Sequence, residues 1–254
     1  MIYDCFLFFD ELELLDIRLN YLDPIIDRFV IVESTKTFSL RDKPLVFQQN
    51  REKFSKFLRK IEYVIVDDFS SPNTWDNERY QRDCIIRGLK GAQSDDIILL
   101  SDCDEIPRIE SFRFSSLNGI VGFNQRIYYY YLNGLLNIPW VGTKAFSLET
   151  LRRESASKIR DTFLTSTFID AGWHFSFLGT PERIARKIRA FSHQELNKPE
   201  FTDLEKIKQR MQKLEDVFSR SHISMSYVTI DSSYPDYILK NLERFKHLIY
   251  GGSV

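Results

Sequence analysis

Through residue 110 the chain alternates short, continuously apolar runs with helix-patterned segments, and acidic or polar residues close each run. The runs are Tyr3–Phe9, Phe29–Val32, Tyr63–Val66 and Ile97–Leu100. A run that is apolar at every position, rather than at every second one, is the mark of a strand buried on both faces. Parallel strands under crossover helices are the usual case. Between the runs, Leu12, Leu15, Leu19 and Leu22 recur at spacings of three and four. Residues 50–60 place Phe54, Phe57 and Leu58 on one side of a charged segment, and Trp75 to Ala92 carries Tyr80, Cys84, Ile85 and Leu89 on one face. Strand alternating with helix predicts a doubly wound parallel sheet, and ligands of such sheets collect at the carboxyl ends of the strands. Asp10/Glu11, Glu33/Ser34, Asp67/Asp68 and Asp102/Asp104 stand at those ends. One such cluster is ordinary loop chemistry; four mark the rim of a site.

The second half is less regular. Arg126–Leu132 and Ala145–Leu148 read as strands, and Phe163–Asp170 leads into a further strand over 172–177. Pro181, at a first helical position, and Glu182 in the first turn open a helix to about Phe191. Two more helices are expected over 203–219 and 235–249. No repeat, low-complexity tract or linker interrupts the 254 residues, a length within reach of one large domain. The expected fold is α/β: a single mixed, mostly parallel sheet flanked by helices, in one domain over 1–254.

Composition excludes several functions. With 35 Lys and Arg against 36 Asp and Glu, net charge is -1, and bulk attraction to nucleic acid is not expected. The balance hides an asymmetry, because residues 1–110 hold more acids than bases and the rest more bases than acids. Three scattered cysteines make no disulfide framework or zinc spacing. The N-terminus, MIYDCFLFFDELELL, has no basic residue ahead of its apolar stretch, so no signal peptide is expected. No run reaches the roughly 18 apolar residues of a membrane span. A cytoplasmic location follows as the expectation. The dinucleotide fingerprint, the P-loop and HExxH are all absent.

The leading positive signal is IILLSDCDEIP. Asp102 and Asp104, two apart in extended chain, point the same way at the end of a buried strand. Such a pair suits a hard divalent cation, Mn²⁺ or Mg²⁺, able to stabilise a departing nucleotide diphosphate. A plain loop or cap explains an isolated pair equally well.

At these residues the sequence resembles the nucleotide-sugar glycosyltransferases of GT-A fold, and more narrowly glycosyltransferase family 17, the β-1,4-mannosyl-glycoprotein 4-β-N-acetylglucosaminyltransferase-like enzymes. The segments that carry the resemblance are FDELELLDIRLNYL, FVIVESTKTFSLRDKPL, NERYQRDCIIRGL, DDIILLSDCDEIP and AGWHFSFLGTPERIARKI, in that order. The chain departs from the animal members in showing no N-terminal anchor or stem, and so resembles soluble members of bacterial or viral type. The resemblance implies a GT-A-like catalytic domain whose 1–110 half holds nucleotide sugar and metal. Its 111–254 half would hold the acceptor and the C-terminal helices. It implies a UDP-sugar donor, most simply UDP-GlcNAc, and a glycan or glycoconjugate acceptor, with no nucleic acid and no membrane span.

Site roles follow from the same resemblance. Asp102 and Asp104 would hold the metal, Asp102 also the donor, with Glu105 orienting the pair, contacting the sugar or capping the turn. Glu33 and Ser34 lie where a GT-A sheet meets uridine or ribose, and Asp10 and Glu11 take the matching place after the first strand. Favourable charge at a helix N-terminus explains Asp10 and Glu11 too. Arg82 would approach the diphosphate, or form a solvated face with Glu78. Lys187, in the basic RIARKIRAF helix, and His193 would neutralise departing UDP. His174 would be a third metal ligand or a hydrogen-bonded core histidine. The family inverts the anomeric centre, which requires one carboxylate as base. Glu182 and Asp170 are the candidates, Glu182 preferred because a helix start keeps it ionised and aimed at the site mouth. Tyr128–Tyr131 and Trp140 would stack on sugars, or serve as core.

Two other readings compete. A haloacid dehalogenase-type phosphohydrolase also places DxD after an apolar strand, but near the start of its domain and with Thr or Val where Ile106 stands here. A non-catalytic carbohydrate-binding descendant is disfavoured, since the carboxylates are still present.

Overall fold

The four apolar runs become β1 (Ile2–Phe8), β2 (Arg28–Ser34), β3 (Ile61–Val66) and β4 (Ile97–Asp102). These elements are those of a computed structural model, which describes residues 1–164 and 167–251. Among the strands lie α1 (Leu12–Leu22), α2 (Val46–Gln49) and α3 (Thr74–Asp83). Then come β5 (Glu105–Pro107), β6 (Val121–Tyr129), the long β7 (Gly134–Ser147), α4 (Leu148–Arg153) and α5 (Ala156–Asp161). They are followed by β8 (Thr167–Phe168), β9 (Gly172–Ser176), α6 (Pro181–Ala190), α7 (Pro199–Thr202) and α8 (Leu204–Lys213). The chain ends with β10 (Met225–Tyr227), α9 (Asp236–Lys240) and α10 (Leu242–Phe245).

One sheet carries both halves, in the order β3-β2-β1-β4-β7-β6-β9-β5, with β8 beside β6 and β10 beside β7. Among the described residues, five of the nine pairings are parallel. The sheet is thus mixed and mostly parallel, with helices against it. β1 pairs in parallel with both β2 and β4, so that Leu7 lies between Val32 and Asp102. The chain winds outward from β1 to β3, then crosses back to lay β4 on the other side of β1. That reversal opens a crevice beyond the carboxyl ends of β1 and β4.

Both faces of these strands are covered. Cys5 and Leu7 of β1 pack with Val30, Val32, Ile98, Leu100 and Ile85, while Phe6 and Phe8 pack with Leu15, Leu19, Phe29, Ile31 and Phe47. Burying an apolar side chain of this size stabilises by roughly 1.5–3 kcal/mol.

The helical patterns overreach in four places. Residues 50–60 form a 3₁₀ segment, Arg51–Phe57, broken at Phe54 (φ -110°, ψ 19°). The Trp75 to Ala92 pattern divides into α3 and a 3₁₀ turn, Cys84–Gly88. The 203–219 helix stops at Lys213, because Leu214 turns left-handed (φ 59°). The 235–249 helix breaks at Asn241 (φ -130°) between α9 and α10. Among the strands, Arg126–Leu132 proves to be the end of β6, halted by the left-handed Tyr130 (φ 66°). Ala145–Leu148 is the tail of β7 and the start of α4. Of Phe163–Asp170, Thr165 and Ser166 lie outside the described residues.

Candidate active site

The last residue of β4, Asp102, and the first of β5, Glu105, bracket the turn that holds Asp104. Two arginines clamp this turn. Arg18 of α1 is wholly buried. Its Nε and Nη2 donate to Asp4 at 2.7 and 2.5 Å, and its Nη1 donates to the carbonyls of Asp102 (3.0 Å) and Glu105 (2.7 Å). Arg160 of α5 takes the side chains instead. Its two terminal nitrogens donate to both oxygens of Glu105 (2.8 and 2.6 Å), and Nη2 also to Asp102 Oδ2 (3.2 Å). Glu105, fully buried, further accepts from Trp140 Nε1 at 2.7 Å and from the Asp102 amide at 2.9 Å.

Above the turn lies a cavity of about 490 Å³, within the range that binds small ligands. Asp102 meets Arg82 Nη1 through Oδ1 at 2.9 Å, while Asp104 meets Lys187 Nζ at 2.6 Å. Burial alone would raise both carboxyls. Arg82, then Arg160, lower Asp102, and Lys187, then His174, hold Asp104 well below the usual carboxylate range. Glu11 also lines the cavity, 3.4 Å from Lys187, and burial raises its pKa against the pull of that ammonium.

A divalent cation is the expectation drawn from the DxD, and Asp102, Asp104 and His174 do line one cavity. Their arrangement does not fit a resident ion. Both oxygens of Asp102 serve guanidinium groups, Asp104 Oδ2 serves Lys187, and His174 Nε2 stands 3.6 Å from that same oxygen. Among the described residues no three His, Cys, Asp or Glu side chains are grouped to hold a metal. His174 also stacks obliquely on Trp140 (centroids 5.0 Å apart), and its Nδ1 is buried without a hydrogen bond.

Of the residues singled out in the sequence, Glu11, Glu78, Arg82, Asp102, Asp104, Tyr129, Trp140, His174, Lys187 and His193 meet at the cavity. The others do not line it. Glu33 is fully buried, accepting from Lys43 (3.0 Å), the amides of Val46 and Phe47 and the Tyr63 hydroxyl (2.8 Å), so its place after β2 is structural. Ser34 closes a local turn with Lys36. Asp10 pairs with Arg186 at 2.6 Å.

Both carboxylates expected as the base also lie away from the cavity. Glu182 sits at the exposed start of α6, its pKa lowered by a hydrogen bond with Thr180. Asp170 bridges Arg108 (3.0 Å) and Arg126 (3.1 Å). The geometry therefore gives neither the aim at the site mouth that the sequence suggested. The basic face of α6 likewise divides: Arg183 meets Glu13, Arg189 meets the Thr202 carbonyl, and Lys187 reaches the site.

Sequence reasoning passed over Arg18, Arg160 and Lys43, while Glu78, expected as a partner of Arg82, does pair with it at 3.0 Å. Arg18 had a signal, a cation among the leucines of α1. Arg160 had none, since its carboxylate partners lie more than fifty positions away.

The description Glycosyltransferase family 17 matches residues 1–254. Curated relatives include the β-1,4-mannosyl-glycoprotein 4-β-N-acetylglucosaminyltransferases of Rattus norvegicus and Homo sapiens, each 25% identical over 94% of this chain. The chain spans about half the length of these relatives, 52% and 53%. Among solved structures, the galactosyltransferase LgtC in complex with donor and acceptor sugar analogs is similar at a TM-score of 0.36 and 12% identity. That match covers 98% of this chain and 95% of that one.

Proposed function

The chain belongs to glycosyltransferase family 17, and we propose that it transfers GlcNAc from UDP-GlcNAc, with inversion, to a hydroxyl of a glycan or glycoconjugate. The scaffold would be GT-A-like. The observation that carries the reading is the meeting of strand-end carboxylates with Arg82, Arg160 and Lys187 in one cavity at the reversal of the sheet. A departing diphosphate gathers negative charge, and preorganised cations stabilise that charge without reorganisation. Phe8, Phe9, Thr37 and Phe38 line the end of the cavity beyond β1 and β2, where a flat base finds aromatic walls. Trp140, Tyr129 and Phe177 line it on the β6–β7 side, suited to the apolar face of a sugar ring.

A direct displacement needs a carboxylate to take the acceptor proton. Outside the Asp102–Glu105 turn, the cavity is lined by Glu11, Glu78 and Asp161. Glu78 is tied to Arg82 and Ser192. The base in this reading is thus Glu11, whose pKa burial raises, or Asp161 at the rim.

The phosphohydrolase reading loses its support with the family match. A thermal-shift panel of UDP, UDP-GlcNAc, UDP-Gal, GDP-Man and CMP-sialic acid, with Mn²⁺ or with EDTA, tests the proposal. A ligand at 100 times its Kd stabilises by about 2.7 kcal/mol, well resolved in such a panel. Selective stabilisation by uridine nucleotides, with UDP released on adding acceptor glycans, is the expected result. Indifference to every nucleotide would reject it.

A further inference from the structure

Arg160 reaches the Asp102–Glu105 turn from a helix of six residues in the second half of the chain. A helix that short has little stability of its own. If its guanidinium is to hold two carboxylates in place, its end must be fixed from outside. Lys144 does this. It stands on β7 opposite Leu100, only 3% exposed, and donates to the carbonyls of Ile159 (2.8 Å), Arg160 (2.6 Å) and Thr162 (2.7 Å). The last carbonyls of a helix run short of partners inside it, and here one ammonium reaches three, of which the Ile159 carbonyl also accepts from the Thr162 amide at 3.2 Å. Two residues along the same strand, the Gly142 carbonyl accepts from Arg160 Nη1 at 2.6 Å. β7 thus grips both the main chain and the side chain of Arg160.

We propose that Lys144 and Arg160 are positioning residues of the transfer reaction: Lys144 fixes the end of α5, and Arg160 thereby holds Asp102 and Glu105 in the shape that receives the donor. The inference rests on the family reading above and adds to it the residues that shape its DxD turn. Without Arg160, buried Glu105 keeps only neutral partners and Asp102 keeps Arg82 alone. Without Lys144, the carbonyls of Arg160 and Thr162 lose the donor seen here and Ile159 keeps only the Thr162 amide, and the end of α5 is free to unwind with Arg160 on it. Burial and Arg160 lower the pKa of Lys144 to about 8, while Asp161 and Glu105 pull it up and Arg82 pulls it down. At pH 7 the ammonium therefore keeps all three donors. Lys144 does not line the cavity, so its influence travels through the end of α5, which brings Arg160 and Asp161 to the cavity, and of these Arg160 is the one joined to the Asp102–Glu105 turn.

The test is a double-mutant cycle on Lys144→Met and Arg160→Met with two readouts, UDP affinity and the indole N–H resonance of Trp140. That indole donates to Glu105, so its resonance reports whether Arg160 still holds the carboxylate. Each single variant is expected to weaken UDP binding about tenfold, with the double variant no weaker than Arg160→Met alone. The Trp140 resonance should move in both. Loss of thermal stability on changing Lys144 should persist in the Arg160→Met background, which separates it from the binding effect. If Lys144→Met does not fold, Lys144→Gln keeps part of the donor set and should show a smaller loss that also vanishes beside Arg160→Met.

Wild-type affinity in the Lys144 variants, or losses that add in full, would overturn the inference and leave the transferase reading intact. A wild type that binds no uridine nucleotide rejects that reading. The Trp140 resonance then decides the brace alone, and an unmoved resonance in both variants refutes it.

Discussion

Arg18 shows how much one side chain can organise. It stands on the buried face of α1, joined to Asp4 of β1 and to the backbone of the Asp102–Glu105 turn. Removing one partner of a buried ion pair strands the other, which costs roughly 3–5 kcal/mol. Arg18→Met should lose stability in that range in urea denaturation, and UDP affinity should fall with it. Replacing Asp4 and Arg18 together with apolar residues should recover part of the stability. If UDP affinity stayed low in that pair variant, the carbonyl contacts of Arg18 would be what shapes the turn. In contrast, Glu182→Gln and Asp170→Asn should leave turnover within about twofold of wild type, because neither side chain lines the cavity. Glu11→Gln or Asp161→Asn should lower kcat by about 10²–10⁴ with little change in UDP binding, whichever is the base. A large loss at Glu182 and none at these two would refute that assignment.

Close packing of elements around the turn makes a second class of change costly. Gly142 of β7 passes so near Glu105 that an added Cβ would lie 2.9 Å from Glu105 Cδ and from Trp140 Nε1, and closer still to Gln125 Oε1. Gly142→Ala should cost about 1–3 kcal/mol by overpacking and weaken nucleotide binding, since the atoms pushed aside hold Arg160. Unchanged binding in a folded Gly142→Ala protein would count against the rigidity of this corner. α6 depends on a buried stripe, Ile184, Ala185 and Ile188, packed with Phe201, Ile207 and Met211, and this stripe turns Lys187 toward Asp104. The stripe is readable in PERIARKIRA. Which of its four cations reaches the cavity is not, because that depends on how α6 is rotated against α7, α8 and the end of β6.

Across the molecule, the acidic first half and the basic second half meet. Lys187 joins Asp104, Arg160 joins Asp102 and Glu105, and Arg183 and His247 join Glu13. Three of these carboxyls titrate low in the fold: Glu13, where Arg183 and His247 overcome burial, Asp102, where Arg82 and Arg160 do, and Asp104, held by Lys187 and His174. A carboxyl whose pKa is depressed on folding adds stability above its unfolded pKa and loses it as pH falls through the folded value. Stability should therefore hold from pH 7 to about 5, then drop as the pH passes below the ordinary values of 4.5 for Glu13 and 3.8 for Asp104. Urea denaturation at pH 7, 5, 4 and 3 measures this. A flat profile down to pH 3 would mean these pairs contribute nothing net.

Much of this protein is local in origin, and that part is determined by the sequence. Strands buried on both faces have to be apolar at nearly every position, so β1, β2 and β4 stand out as runs, and the edge strand β3 stands out with them although its Ile65 is exposed. The site residues that lie within a few positions of a strand end or on a strongly patterned helix, Asp102, Asp104, Arg82 and Lys187, were legible for the same reason. Only the tertiary structure decided which strand ends face a cavity. Glu33 and Asp102 both close a buried run, yet one is sealed by Lys43 and backbone amides while the other lies where β1 and β4 part. Arg160 and Lys144 leave no local trace, because their partners come together through sheet order and the approach of α5 to β7. Long-range contacts of this kind satisfy buried charges and carbonyls whose need for a partner arises only after the chain has folded.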